Sequence, residues 1–148
     1  MKKKPLIIAE IGLNHLGDES YVNKYLKFLM KTKIDGISFQ VREKNFYNRK
    51  KKLLLNENFY KFILRNAKKN KKLFGVALAD KDKVEYFSNM KVDFFKIINR
   101  DLIKKKLIKK IYKSSAKTIF VSTGKSKIND LRKHLSYLTK EEKKKLVF

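Results

Sequence analysis

Apolar and polar positions fall in blocks along this chain, short apolar runs alternating with longer stretches of helical spacing. Residues 6–11 form the first apolar run. Val22, Tyr25, Leu26, Leu29 and Met30 then recur at helical intervals within residues 21–33. Asp18, Glu19 and Ser20 just ahead suit a helix N-terminus. Residues 36–40 read as a second strand, entered through Asp35-Gly36. The polar, basic stretch 41–56 predicts a long loop. Residues 57–70 predict a helix with Phe59, Phe62, Ile63 and Ala67 on one face.

The same alternation continues. A strand over 73–77 precedes a helix over 81–90, with Asp80 as its N-cap. A strand over 94–98 precedes a helix over 102–113, with Ile103, Leu107, Ile108 and Ile111 facing inward. A strand over 118–121 precedes a helix over 126–138, with Ile128, Leu131, Leu135 and Leu138 apolar. A polar helical turn over 139–144 leads to Leu146-Val147-Phe148, the start of a sixth strand. Strands alternating with helices of this length predict βαβ units on a parallel sheet, with right-handed crossovers. Five units do not complete the eight of a closed (β/α)8 barrel. Two architectures fit: an open sector of such a barrel, or a doubly wound sheet. The open parallel edge of a barrel sector would favour self-association.

Composition narrows the class. At 148 residues, 43% hydrophobic and 12% aromatic, the chain is suited to one folded domain over 1–148. It has no cysteine, which leaves no disulfide framework and no thiolate chemistry. The N-terminal apolar run carries Glu10 and is too short for a signal peptide, and no run is long enough to cross a membrane. A cytoplasmic protein with no membrane partner is expected. The net charge of +25 comes from 39 Lys+Arg against 14 Asp+Glu, with five arginines: Arg42, Arg49, Arg65, Arg100 and Arg132. Lysines spread along the whole chain read as a solvated surface. Specific nucleic-acid recognition, which favours arginine, is not expected.

Candidate chemistry gathers at the ends of the apolar runs. The segment Ile7-Ile8-Ala9-Glu10-Ile11-Gly12-Leu13-Asn14-His15-Leu16-Gly17-Asp18 is a strand opening into a polar loop. The carboxyl end of a strand is where α/β proteins place their chemistry. Glu10 inside an apolar run needs a partner or a ligand. Lys96, within the run 94–98, likewise calls for an anion. Val121-Ser122-Thr123-Gly124 joins a strand to a helix and offers hydroxyls to an anion. His15 and His134 have no partner at metal-ligand spacing, so no metal site is evident.

The first segment resembles the sialic acid synthase family almost letter for letter. Ser38-Phe39-Gln40 is similar to that family's K-F-Q with a serine for the lysine, and Phe95-Lys96-Ile97 to its Y-K-I. Ser122-Thr123-Gly124 matches its S-T-G. Val76-Ala77-Leu78-Ala79 replaces its S-T-P-F, and Ile98-Asn99-Arg100-Asp101 replaces its G-S-G-E, which keeps an acid but no glycine.

The resemblance implies an incomplete TIM barrel of the NeuB type, with about five βα units and without the antifreeze-like domain that often follows. It implies condensation of phosphoenolpyruvate with an N-acetylated amino sugar. Glu10 and Gln40 would then be catalytic, and Asn14, His15, Ser38, Lys96, Asp101, Ser122 and Thr123 would bind substrate. The divalent metal of the full-length family, Mn or Mg, would have no ligands within this chain. The short chain is expected to be inactive alone, or to need a homo-oligomer or a complementing chain. A non-catalytic phosphate- or sugar-binding module is the alternative, and a basic polyanion-binding protein the next.

Overall fold

The computed structural model describes residues 4–124 and 126–148. The basic N-terminus at residues 1–3 lies outside them. Six parallel strands form one sheet: β1 (Ile8–Gly12), β2 (Gly36–Val41), β3 (Leu73–Leu78), β4 (Phe94–Ile97), β5 (Thr118–Val121) and β6 (Leu146–Val147). They lie in chain order, β1 to β6, with every neighbouring pair parallel. A doubly wound sheet reverses its order at a switch point. This sheet never reverses, so right-handed crossovers place every connecting helix on one face. That is the winding of a barrel, and the doubly wound alternative is excluded.

Among the described residues seven helices join the strands: α1 (Glu19–Leu29), α2 (Lys44–Arg49), α3 (Glu57–Lys69), α4 (Val84–Asn89), α5 (Lys105–Tyr112), α6 (Ile128–Leu135) and α7 (Lys140–Lys144). Asp18 caps α1 through the Ser20 N–H, and Asp80 caps the 3-10 turn Lys81–Lys83 that opens into α4. The predicted loop over 41–56 is a correction, because it contains α2 and a 3-10 turn at Lys51–Leu53. Its apolar signal is only two residues wide. The Tyr47 hydroxyl accepts the Arg42 N–H at 3.0 Å, and the Arg42 guanidinium lies 4.0 Å from the Phe46 ring centre. Ile103 is a second correction. Asn99–Asp101 forms a 3-10 turn and α5 begins only at Lys105, so Ile103 is 68% exposed instead of inward. Ile128 stands at the exposed start of α6.

Residues alternate across each strand between two faces. Ile37, Phe39 and Val41 of β2, Phe74, Val76 and Leu78 of β3, and Phe95 and Ile97 of β4 form one core. Val22 and Leu26 of α1, Tyr60 and Ile63 of α3, Phe87 of α4 and Ile108 of α5 pack with them. The intervening residues line the opposite face: Glu10, Ser38, Gln40, Gly75, Ala77, Phe94, Lys96 and Phe120. Phe94 and Phe120 meet edge-to-face at 5.1 Å and fill its lower part. Gly75 makes room for them, since a β-carbon there would stand 2.1 Å from the Phe94 ring.

The amino ends of the strands are stitched by side chains. Asp35, just before β2, accepts the Ile7 N–H at 2.8 Å. Asp93, just before β4, accepts the Phe74 N–H at 2.8 Å. Lys72, before β3, donates to the Thr32 and Ile34 carbonyls after α1, and Lys145, before β6, donates to those of Tyr112, the last residue of α5, and Ser114. A cation at the end of a helix satisfies carbonyls that the helix leaves unpaired.

Candidate active site

The carboxyl ends of the strands carry most of the charge pairs among the described residues. Lys96 of β4 donates to Glu10 of β1 at 2.5 Å, across 86 residues of sequence. Two strands intervene. In a flat sheet the two backbones would stand about 14 Å apart, three strand spacings of roughly 4.8 Å. The side chains meet because the sheet curls toward this face. The β1–β2 ladder also slips between Glu10 and Gly12. Such a bulge re-aims the side chains at a strand end. Gly12 itself takes φ +60, which favours glycine. The pair is part-exposed, 29% for Lys96 and 41% for Glu10. Its contribution to stability is therefore small, about 0–1 kcal/mol.

Gln40 lies on the same face as Glu10, in register with Ala77, which is in turn in register with Lys96. Ser38 lies in register with Glu10 on one side and Gly75 on the other. Its Oγ is fully buried and has no hydrogen-bond partner among the described residues. Ala77 puts no bulk beneath the Lys96 arm. Glu10, Ser38, Gln40 and Lys96 thus share one concave surface.

His15 stands apart from it. Asn14 is exposed in the β1–α1 loop, its N–H bonded to the Ile11 carbonyl. His15 is completely buried, its ring 5.9 Å from that of Phe39 on the helix-covered side. Its Nδ1 accepts the Gly17 N–H at 2.9 Å, so the ring is neutral with its proton on Nε2. Burial pushes its pKa below the ordinary 6.5. Gly17 takes φ +76, and a β-carbon there would strike the Lys52 carbonyl oxygen at 2.0 Å. His15 therefore shapes the loop that follows Glu10.

The β5–α6 turn is held from β4. Ser122 extends the ladder, its N–H bonded to the Ile97 carbonyl at 2.9 Å. Asn99 donates through Nδ2 to the Thr123 carbonyl and to Ser126 Oγ, each at 2.5 Å. Gly124 takes φ +52, and a β-carbon there would press on the Asn99 side chain at 3.1 Å. Asp101 is buried, and Lys104 Nζ meets its Oδ1 at 2.8 Å within the same loop. Its charge is thus met away from the Glu10–Lys96 pair.

Sequence reasoning did not single out Asn99 as a fastener or Glu43 as a charge centre. Arg42 Nε and Arg100 Nη2 each approach Glu43 Oε2 at 3.2 Å. Burial pushes the Glu43 carboxyl up, but hydrogen bonds from Arg42 and its own backbone, with the charges of Arg42 and Lys104, hold it at about 2. An Arg-Glu dipeptide just past a strand end was the available signal. A cavity of about 800 Å³ opens beside this cluster, lined by Arg42, Glu43, Tyr47, Leu55, Asp80 and Lys83. None of Glu10, Gln40 or Lys96 lines it. Among the described residues, no three of His, Cys, Asp or Glu gather to hold a metal ion.

The profile of the NeuB family matches residues 23–148. The chain belongs to the NeuB family. The segment with the densest motif, residues 7–18, lies ahead of that match, so the assignment stands on the rest of the chain. One relative is the N,N'-diacetyllegionaminic acid synthase of Campylobacter jejuni, 27% identical over 97% of this chain and 49% of its own length. Another is the uncharacterized protein MJ1065 of Methanocaldococcus jannaschii, 32% identical over 84% of this chain and 39% of its own length. The N-acetylneuraminic acid synthetase structure from Leptospira borgpetersenii superimposes with a TM-score of 0.83 at 22% identity. That match covers 97% of this chain and 53% of that one. This NeuB-family chain thus spans about half the length of the relatives it matches, and its fold is an incomplete TIM barrel.

Proposed function

We propose that the Glu10–Lys96 end of the sheet is a binding site for phosphoenolpyruvate and an N-acetylated amino sugar. The relationship to nonulosonate synthases supports this reading. The observation that carries it is the meeting of Glu10 and Lys96 across three strand spacings on the concave face. An arriving phosphate or carboxylate replaces the Glu10 carboxylate as the partner of the Lys96 ammonium. The Ser122 and Thr123 hydroxyls, on the turn fixed by Asn99, then complete the anion's hydrogen bonds. Glu10, released from Lys96, and the Gln40 amide then face the sugar.

In the reaction, C3 of phosphoenolpyruvate bonds to the aldehyde carbon of the open-chain sugar. Water adds at C2, and the bond from C2 to the phosphate oxygen breaks to release phosphate. A divalent ion would polarise the aldehyde. The described residues do not fit one: Glu10 is engaged by Lys96 and His15 faces Phe39. We therefore assign the metal ligands to polypeptide other than these 148 residues, and expect the pure chain to bind without turning over.

Calorimetry tests the site. Phosphoenolpyruvate should bind the chain, and Lys96→Ala should weaken it at least tenfold. Binding indifferent to Lys96 would sink the reading, as would synthase turnover by the pure chain that survives Glu10→Gln. A second reading, binding without chemistry in any assembly, is favoured by Ser38. Its buried hydroxyl brings no charge where the family carries a lysine. Turnover in an assembly restored to full barrel length separates the two.

A further inference from the structure

We propose that the cavity of about 800 Å³ beside α2 is a second ligand site, for an uncharged ring-bearing molecule whose carbonyl oxygen accepts from the Tyr47 and Tyr60 phenols. None of Glu10, Gln40 or Lys96 lines it, so the inference does not rest on the phosphoenolpyruvate site.

The cavity lies on the helix-covered side of β2, between α2, the start of α3 and the 3-10 turn that opens into α4. Strand β2 is paired on both sides, so this is a feature of the sheet's interior. The volume falls within the roughly 300–1,000 Å³ of small-molecule sites. Buried Leu55 and Phe87 give the cavity an apolar wall.

Two hydroxyl hydrogens there have no protein acceptor. Tyr60 is 2% exposed, its ring edge-to-face with those of Phe39 and Phe87. Those contacts hold the ring in the core while its hydroxyl opens on the cavity, and that hydroxyl bonds to none of the described residues. Tyr47 is buried too. Its oxygen accepts the Arg42 N–H at 3.0 Å, but its own hydrogen goes to none of the described residues. Burial pushes both phenols above their ordinary pKa of 10, so each stays a neutral donor. Buried tyrosine hydroxyls usually find a partner. A carbonyl oxygen has two lone pairs, one for each phenol.

Charge decides against an ion. The lining carries four cations and four carboxylates. Arg42 pairs with Glu43 and Lys83 with Glu57. A rim balanced in this way gives an ion no net attraction, and the apolar wall would cost it its hydration. The ligand that fits lays a ring against Leu55 and Phe87 and turns a neutral carbonyl toward the tyrosines.

Benzamide is the probe and benzoate its charged counterpart, each titrated into the full chain and followed by two-dimensional NMR. Benzamide should shift the amides of Tyr47, Leu55, Tyr60 and Lys83 saturably. Benzoate should bind about tenfold more weakly, because its charge must be desolvated. Tyr60→Phe removes a hydroxyl that bonds to nothing in the protein. It should leave the melting temperature unchanged and weaken benzamide about fivefold, the worth of a hydrogen bond between neutral groups. If that variant unfolds, the comparison with benzoate on the unaltered chain still decides. Absence of saturable benzamide binding would overturn the proposal, as would shifts confined to other faces of the chain. So would an affinity indifferent to Tyr60→Phe, or benzoate binding as tightly as benzamide. Phosphoenolpyruvate is left out throughout, so either proposal can fail alone.

Discussion

The ring of Phe94 occupies the space where a side chain on Gly75 would begin, two strands meeting with no room for a methyl group between them. Both residues are buried, so the ring has little freedom to retreat. Gly75→Ala should destabilise the chain by about 1–3 kcal/mol, the usual cost of overpacking. Urea denaturation measures it. Adding Phe94→Leu should recover part of the loss, because the collision and not the strand propensity of alanine is the cause. An additive double mutant would refute this.

The two aspartates that begin β2 and β4 make the same bond in different surroundings. Asp93 accepts from the Phe74 N–H, whose residue is fully buried, while Asp35 accepts from Ile7, which is half-exposed. Asp93→Ala strands a donor away from water and should cost about 1–3 kcal/mol. Asp35→Ala lets water replace the carboxylate and should cost less. Equal losses in chemical denaturation would contradict the argument.

Acid should act in two windows. His15 is held neutral, with a folded pKa below its ordinary 6.5, so the unfolded chain takes up a proton that the folded chain refuses. Stability should fall as pH drops below about 6.5. Glu43 has its folded pKa depressed to about 2 from an ordinary 4.5, so its contribution is complete above 4.5 and is lost as pH falls toward 2. Denaturation midpoints from pH 7 to 2 would trace both. Glu43→Gln should flatten only the lower window.

Glu10 and Lys96 should respond in opposite directions. Removing the carboxylate with Glu10→Gln leaves Lys96 free to meet an anion and should tighten phosphoenolpyruvate binding several-fold. Lys96→Ala should weaken it at least tenfold, consistent with about 1.5–3 kcal/mol for a hydrogen bond to a charged group. Neither change should move stability by more than about 1 kcal/mol, given the exposure of the pair. Calorimetry and thermal melts report the two effects separately.

The strands were legible because their signal is local, whereas the winding is decided only by the strand order. Residues 118–121 have the bounds that their apolar run predicts, and Lys96 lies on the concave face as a lysine in an apolar run requires. Helix α2 was not legible, because Lys44–Arg49 is charged around Phe46 and Tyr47 and is fixed by contacts with Arg42. Ile103 was misplaced because the 3-10 turn at Asn99–Asp101 delays α5 and shifts its helical phase. At the site, sequence gave residue types at strand ends. It did not reveal that Glu10 and Lys96 touch, which needs the curl of the sheet, or that Asn99, after β4, fastens the turn after the neighbouring β5. His15 reads in sequence as a mouth residue, and burial against Phe39 makes it a loop organiser.

The stitches at the strand starts carry a consequence for synthesis. Asp35 reaches back to Ile7, Lys72 to Thr32 and Ile34, Asp93 to Phe74, and Lys145 to Tyr112 and Ser114. Each fastens a unit only to the one made just before it. Pairing that never reaches forward in the chain suits assembly from the N-terminus as the polypeptide leaves the ribosome. A nascent chain should therefore acquire protease-resistant structure in steps of one βα unit.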